Sequence, residues 1–299
     1  MIGFIGTGTI GSPMAHQLVA GGQTLMVYDL NPDNTTSLLD AGAQLARSIA
    51  AVAERCETVF LSLPGPAQIK TVVQAANGLL ANADALKHIV DLSTNAVELN
   101  RELAEVALKQ NIAYLDAPVS GGRVAAEKGK LAVMIGGDKS TFEALQPLFA
   151  LIGEKIFYLG PAGSGTLAKL VNNQIFLSAS VLIQEGFVMG ARAGMDPDTL
   201  LEVLKASSAG SLVSRAALVL SGQFDQDIFA LSIAAKDVGV AVESAQALGV
   251  DMPMTKAALG VYGRAMDAGL GRDDFFATVK VLEQAAGVTL PALSKPSRG

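Results

Sequence analysis

Three stretches of this 299-residue sequence combine residue types and spacings suited to chemistry. Gly6-Thr7-Gly8-Thr9-Ile10-Gly11 has the spacing G-x-G-x-x-G directly after the apolar run Met1 to Ile5. That spacing suits a pyrophosphate. One glycine makes the tight turn, the next lets the backbone approach the phosphates, and the third lets helix and strand pack closely. On its own, the same turn also serves a purely structural purpose. Asp116-Ala117-Pro118-Val119-Ser120-Gly121-Gly122 sets a hydroxyl beside glycine N–H groups. This is either a small nest for a carboxylate or a plain glycine-rich loop. Lys169-Leu170-Val171-Asn172-Asn173 places a lysine and an asparagine four apart, on one face of an apolar helical stretch. Such a pair needs a wet or functional environment, unless the lysine snorkels to the surface.

The elements that position these residues alternate between strand and helix. Met1–Ile5 reads as a buried strand and Ser12–Ala20 as a helix stopped by Gly21-Gly22. Thr24–Asp29 reads as a second strand ending in an acid. Asp29 lies about 20 residues past the glycines, where a dinucleotide fold places the carboxylate that accepts from the adenosine ribose hydroxyls. No Lys or Arg occurs from Asp29 to Ser37, so a 2′-phosphate lacks a cationic partner there and NAD is expected rather than NADP. Helices are expected at Pro32–Ala41, at Ser48–Arg55 with Ser48 as cap, and through Val72–Ala76. A strand at Thr58–Leu63 ends in the turn Pro64-Gly65-Pro66. Ile89–Leu92, Ala113–Asp116, Leu131–Ile135 and Ile156–Leu159 read as further strands, with helices at Val97–Gln110 and Ser140–Ile152. The result is a doubly wound α/β sheet of roughly 160 residues.

After Gly160–Gly165 the pattern holds no convincing strand. Thr166–Ala193 reads as one long helix, apolar on most faces and therefore buried. Helices are expected at Pro197–Ala206, Leu212–Leu220, Ala230–Leu248, Met254–Ala268 and Phe275–Ala286, with a frayed tail from Ser294. So few charges in a helical half suggest burial against another subunit.

Composition narrows the function. A net charge of −6, without a basic patch interleaved with aromatics, argues against nucleic acid. No apolar run looks long enough to cross a bilayer, and no positive region precedes the first strand as in a signal peptide. The single cysteine, Cys56, excludes an internal disulfide and fits a reducing cytoplasm. His16 and His88 are the only histidines and lie in no metal-ligand spacing. Both are expected at the surface or in structural hydrogen bonds, and no metal is expected.

Taken in order, the motifs resemble those of the β-hydroxyacid dehydrogenase family, within the 6-phosphogluconate dehydrogenase-like group. The resemblance rests on Gly3–Gly11 followed by Pro13-Met14-Ala15, on Asp116–Gly122, on Gly160–Asn173 with its Lys-x-x-Asn-Asn, and on Lys236-Asp237. It implies a Rossmann NAD-binding domain at 1–162 and an all-helical domain at 163–299, linked by the long helix. By position, it implies that Lys169 is the catalytic general acid/base, that Asn173 positions the substrate, and that Ser120, Gly121 and Gly122 hold its carboxylate. Leu63, Pro64 and Thr94 line the cofactor near the nicotinamide, and Asp29 and Leu30 lie at its ribose end. Lys236 closes over cofactor and substrate, with Asp237 supporting it. Burial and the neighbouring Lys236 would lower the Lys169 pKa toward that role.

The implied activity interconverts a small 3-hydroxy acid and its semialdehyde with NAD. 3-Hydroxyisobutyrate, glycerate, a β-hydroxy amino acid and a sulfonated analogue all remain open as substrates. An imine reductase and a non-catalytic NAD sensor are further alternatives. The presence of Lys169 speaks against the first, and the intact loop with Lys169 and Asn173 against the second. Arg123 departs from the family pattern, which has an apolar residue at this place. It either faces solvent or reaches a second acidic group on the substrate. A homodimer or homotetramer through the helical half is implied.

Overall fold

A computed structural model describes residues 1–213, 222–225 and 229–291. They form two compact units, Met1–Val171 and Asn172–Gly299.

The first unit is built on a sheet whose six parallel strands run in the order β3-β2-β1-β4-β5-β6. These are β1 (Ile2–Ile5), β2 (Leu25–Tyr28), β3 (Gln44–Leu45), β4 (Thr58–Leu61), β5 (His88–Asp91) and β6 (Ala113–Asp116). β1 and β4 are buried along their whole length, as strands covered on both faces must be. β7 (Val119–Ser120), β8 (Leu131–Gly136) and β9 (Gly153–Gly160) extend the sheet, with β8 antiparallel to β6 and β7 and parallel to β9. The helices are α1 (Gly11–Ala20), α2 (Thr36–Asp40), α3 (Ile49–Arg55), α4 (Pro66–Gln74), α5 (Val97–Leu108), α6 (Gly122–Glu127) and α7 (Lys139–Ile152). The strand order reverses between β1 and β4, so the crevice at their carboxyl ends is the natural ligand position of such a sheet. Phe4, Leu18, Phe60, Phe149 and Ile152 centre the core on one face. Val52, Val59, Ile69 and Leu103 centre it on the other.

The second unit is helical. It holds most of α8 (Ser164–Arg192), then α9 (Pro197–Lys205), α10 (Leu231–Ala247), α11 (Pro253–Asp267) and α12 (Thr278–Ala286). Among its described residues the only β pairing is an isolated bridge between Ala230 and Asp274. Its core gathers Leu177, Phe187, Leu231, Tyr262 and Phe275.

The structure corrects the sequence reading in several places. The expected helix Pro32–Ala41 is a 3-10 turn, Pro32–Thr35, followed by α2. α4 begins at Pro66 rather than near Val72, because a proline at the first helical position needs no N–H partner. β3, β7 and α6, of two, two and six residues, are too short to show a period. α8 is not uniformly buried: Leu170 and Leu177 are inside, whereas Ile175, Leu182 and Met189 are exposed. α8 is also long and apolar enough to cross a membrane, which corrects the expectation that no run is. Its most apolar window has a mean hydropathy of 1.3, and the core helix of a soluble protein meets the same measure. The expected helix 212–220 runs beyond the described residues, and the tail 294–299 lies outside them.

Candidate active site

The glycine turn joins β1 to α1 at the reversal point of the sheet. Its three glycines have different neighbours. Gly6 adopts φ +92°, and a Cβ there would strike the Ser62 carbonyl just past β4. A Cβ on Gly11 would strike the Gly6 carbonyl, so this glycine lets helix and strand close together. A Cβ on Gly8 would meet nothing within 4 Å. Gly8 therefore faces open space. Among the described residues no side chain caps the N-terminus of α1, and its first turn carries no acid. The positive end of a helix, with no acid in its first turn and beside a glycine open to solvent, fits a pyrophosphate.

A cavity of about 580 Å³ opens here, lined among others by Thr7, Gly8, Thr9, Asn34, Arg123 and Glu127. Asp29 stands at the end of β2 beside it. One carboxylate oxygen accepts from the Thr7 N–H at 2.7 Å, and the other from Asn31 N–H at 2.9 Å and Asn34 Nδ2 at 3.1 Å. Asp29 thus holds the glycine turn itself, a second task beyond the ribose contact expected of it. Leu30, beside it, is 87% exposed. His16 is hydrogen-bonded to Ser37 and His88 to Thr58, each at 3.0 Å. Burial holds the His88 imidazole below its usual pKa.

Leu63, Pro64 and Thr94 follow β4 and β5 at the same carboxyl edge. The Leu63 N–H donates to Ser93 Oγ at 2.9 Å, and the Ser93 N–H to Asp91 at 3.0 Å, so one buried serine ties the two loops together. Ser120 ends β7, and Gly121 and Gly122 have φ of +139° and +70°, backbone that favours glycine. α6 then begins at Gly122 and carries Arg123, whose Nε pairs with Glu127 at 2.8 Å. Arg123 is therefore an exposed rim residue of the glycine-turn cavity. Gln17 of α1 holds the far end of α6, donating to the Glu127 carbonyl at 2.7 Å.

Lys169 lies in the second turn of α8, half-buried. In the helical unit, Asn173 is buried and donates from Nδ2 to Asp237 Oδ2 at 2.6 Å. Lys236 Nζ stands 2.6 Å from the other oxygen of the same carboxylate. Asp237 thereby orients the Asn173 amide and fixes Lys236. The first unit brings together the glycine turn, Asp29, Leu63 and Thr94, and the second brings together Asn173, Lys236 and Asp237.

No motif in the sequence marks the buried hydrogen-bond network beneath α8 that involves Asp116 and Thr166 of the stretches above. Asp116, at the end of β6, accepts from Gly163 N–H and Thr166 N–H, both at 2.7 Å. Asn100 of α5 donates to Thr166 Oγ1 at 2.5 Å and accepts from Tyr114 at 2.9 Å and Asn95 at 2.5 Å. Asp91 accepts from Tyr114 at 3.0 Å and Asn95 at 3.1 Å. Burial raises both carboxyls, Asp116 to about 6. Its only sequence signal is polar residues in or next to otherwise apolar elements: Asp91, Tyr114 and Asp116 in strands, Asn100 and Thr166 in helices.

A doubly wound sheet with an open glycine turn at its reversal point defines a dinucleotide-binding protein, here followed by a helical unit. Residues 1–160 match the family profile described as the NAD binding domain of 6-phosphogluconate dehydrogenase. Residues 163–282 match one described as NAD-binding of NADP-dependent 3-hydroxyisobutyrate dehydrogenase. The chain is 37% identical to 2-(hydroxymethyl)glutarate dehydrogenase of Eubacterium barkeri, over 97% of each chain. It is 32% identical to an NAD-dependent L-serine dehydrogenase of Pseudomonas aeruginosa, over 96% of this chain and 99% of that one. The solved structure of Mycobacterium tuberculosis 3-hydroxyisobutyrate dehydrogenase with L-serine superposes with a TM-score of 0.84 at 27% identity, covering 94% of this chain and 98% of that one. The chain belongs to the β-hydroxyacid dehydrogenase family, NAD-dependent oxidoreductases of small 3-hydroxy acids.

Proposed function

We propose that the protein interconverts a small 3-hydroxy acid and its semialdehyde, with Lys169 as general acid/base. The observation that carries this is Lys169 on a helix whose first turn is anchored by buried hydrogen bonds to the sheet that holds the glycine turn. NAD, when bound, exchanges a hydride with the carbon that bears the hydroxyl. In the reducing direction the Lys169 ammonium faces the negative charge that develops on the carbonyl oxygen and donates the proton to it. In the oxidising direction its neutral amine takes the hydroxyl proton. The Ser120 hydroxyl and the N–H groups of Gly121 and Gly122 hold the substrate carboxylate, a role supported by their positive-φ backbone. We assign Asn173, oriented by Asp237, and Lys236, held by the same carboxylate, to substrate contact, and Lys236 to cofactor contact as well.

The cofactor contacts we assign are Gly6 to Gly11, Asp29, Leu30, Leu63, Pro64 and Thr94. Asp29, with no cation in the segment that follows it, favours NAD over NADP. The cofactor domain takes residues 1–162 and the helical domain 163–299. The buried, unpaired thiol of Cys56 suits the reducing cytoplasm, where we place the protein.

Substrates with a second acidic group form the more specific reading. The relative named for 2-(hydroxymethyl)glutarate supports it, and Arg123, paired with Glu127 at the surface, is the residue that tests it. The test is initial rates with 3-hydroxyisobutyrate, 2-(hydroxymethyl)glutarate, glycerate and serine, with NAD and NADP side by side. NAD is expected to be the faster acceptor. Arg123→Ala is expected to raise KM about tenfold for the dicarboxylate alone, the share of one exposed charged contact. Equal effects on all four acids would remove that reading, and no turnover with any acid would remove the enzymatic one.

The helical unit also supports self-association. Ile175, Leu182 and Met189 recur every seventh residue along α8 and are exposed by 57%, 57% and 73%. We assign this stripe to a homodimer or homotetramer interface. Leu182→Glu is expected to shift the protein toward monomer in sedimentation velocity. An unchanged sedimentation coefficient would place the interface elsewhere.

A further inference from the structure

Asp116 occupies a junction that the reaction chemistry does not require. Its backbone ends β6 and starts the Ala117–Gly122 loop, while its side chain holds the first turn of α8. The carboxylate is fully buried, and each oxygen accepts one backbone N–H, from Gly163 and from Thr166. Two glycines make this approach possible. A Cβ on Gly136 would press on Asp116 Oδ1, and one on Gly165 would collide with the Met134 carbonyl. A second tether, from Asn100 to Thr166 Oγ1, holds the same turn. Lys169 follows Thr166 by three residues, less than one helical turn.

We propose that Asp116 is a positioning residue: through α8 it sets where Lys169 is held relative to the Ser120–Gly122 loop that its own backbone begins. The proposal rests on Lys169 being the general acid/base. One residue then joins the group that moves the proton, through its side chain, to the loop that holds the substrate, through its backbone, so a small shift of the helix changes the reacting geometry without touching the cofactor turn. Displacements of about 1 Å at such a distance cost up to about a hundredfold in rate.

The ionised form that makes both contacts carries a cost in stability. Burial raises the Asp116 carboxyl to about 6 from 3.8. The groups facing it are Asp91 of β5, which raises it further, and the two backbone N–H donors, which lower it. Arg101 of α5 lies against Gly163, and Tyr114 is bonded to Asp91. A folded-state value above the unfolded one means that folding favours the protonated form. That stability is fully present below pH 3.8 and is lost as pH rises through about 6. A neutral amide of the same size does not carry this cost at pH 7.5, but it offers one acceptor oxygen for two N–H donors.

The test is Asp116→Asn in the full-length enzyme, beside Lys169→Ala. It measures kcat, the NADH dissociation constant by fluorescence, and the urea midpoint at pH 5 and 7.5. The expected result is a kcat lower by about 10- to 100-fold, NADH affinity within about twofold, and a midpoint at pH 7.5 equal to or above wild type. Thr166→Val, which removes only the Asn100 tether, is expected to lower kcat less, and Thr166→Ser to restore it. A kcat of Asp116→Asn within twofold of wild type would overturn the proposal. So would a loss of rate accompanied by a lower midpoint at pH 7.5 or by weakened NADH binding. Normal turnover by Lys169→Ala would overturn the general acid/base reading and this proposal with it. An inactive Lys169→Ala beside a normal Asp116→Asn would overturn this proposal alone.

Discussion

Lys169→Ala is expected to lower kcat by about a thousandfold or more while NADH still binds within about twofold of wild type. A general acid/base contributes about 10²- to 10⁴-fold, and a thousandfold loss corresponds to about 4 kcal/mol of transition-state stabilisation. The cofactor turn should not respond, because Gly6, Gly8, Gly11 and their supports Asp29 and Ser62 make no use of the lysine. The fold should respond little, since the lysine is only half-buried and the anchoring of α8 runs through Gly163 and Thr166. Stopped-flow hydride transfer and NADH fluorescence titration measured on one preparation decide it. Near-normal turnover would remove Lys169 from the mechanism. Loss of NADH binding would show that the variant has damaged the sheet rather than the chemistry.

The second large effect separates two glycines three positions apart. Gly11→Ala drives a methyl group into the Gly6 carbonyl, where backbone rather than a flexible side chain must yield. It is expected to destabilise the first unit by about 3 kcal/mol, the upper range for overpacking, with a lower urea midpoint. Gly8→Ala adds the same methyl to open space, at a backbone conformation that any residue adopts. Its stability is expected to stay within about 0.5 kcal/mol of wild type. Its NADH affinity is nevertheless expected to fall by about a hundredfold, because the methyl takes the room through which a pyrophosphate reaches the helix N-terminus. Equal damage to stability by both variants would mean that Gly8 serves the fold and not the ligand.

The parts of the fold that could be read in the sequence depend on neighbours in the chain. Gly6–Gly11, the strand–helix–strand unit from Ile2 to Tyr28, and the Ser48 cap, whose Oγ accepts from Ala51 N–H at 3.1 Å, are all set by local spacing. The buried network under α8 is set by distant partners. Asp116 meets Gly163 and Thr166, and Asn100 meets Thr166, across 47 to 66 residues. No periodicity reports such pairings. α6 escaped notice because Gly121-Gly122 read as loop, although glycine at a positive φ also starts a helix. The exposed stripe on α8 escaped because composition averages over faces: Leu177 and Leu182 count alike, but one is inside and the other faces out. The second task of Asp29 was likewise hidden. Spacing implies a ribose contact for this carboxylate but not the Thr7 N–H that it already holds.

The placement of β1 has a consequence for how the chain is made. β1 pairs with β2 on one side and with β4 on the other, so the strand nearest the start of this sequence lies inside the sheet. Its first neighbour, Leu25–Tyr28, soon follows in the chain, but its second, Thr58–Leu61, comes much later. During synthesis at about 5–20 residues per second, Ile2–Ile5 therefore keeps one flank of unpaired backbone for several seconds, in a segment that ends up wholly apolar-packed. Such a flank is a template for another chain. The nascent enzyme thus stays open to misassembly at this flank after β2 has paired and until β4 arrives, well before any residue of the helical unit exists.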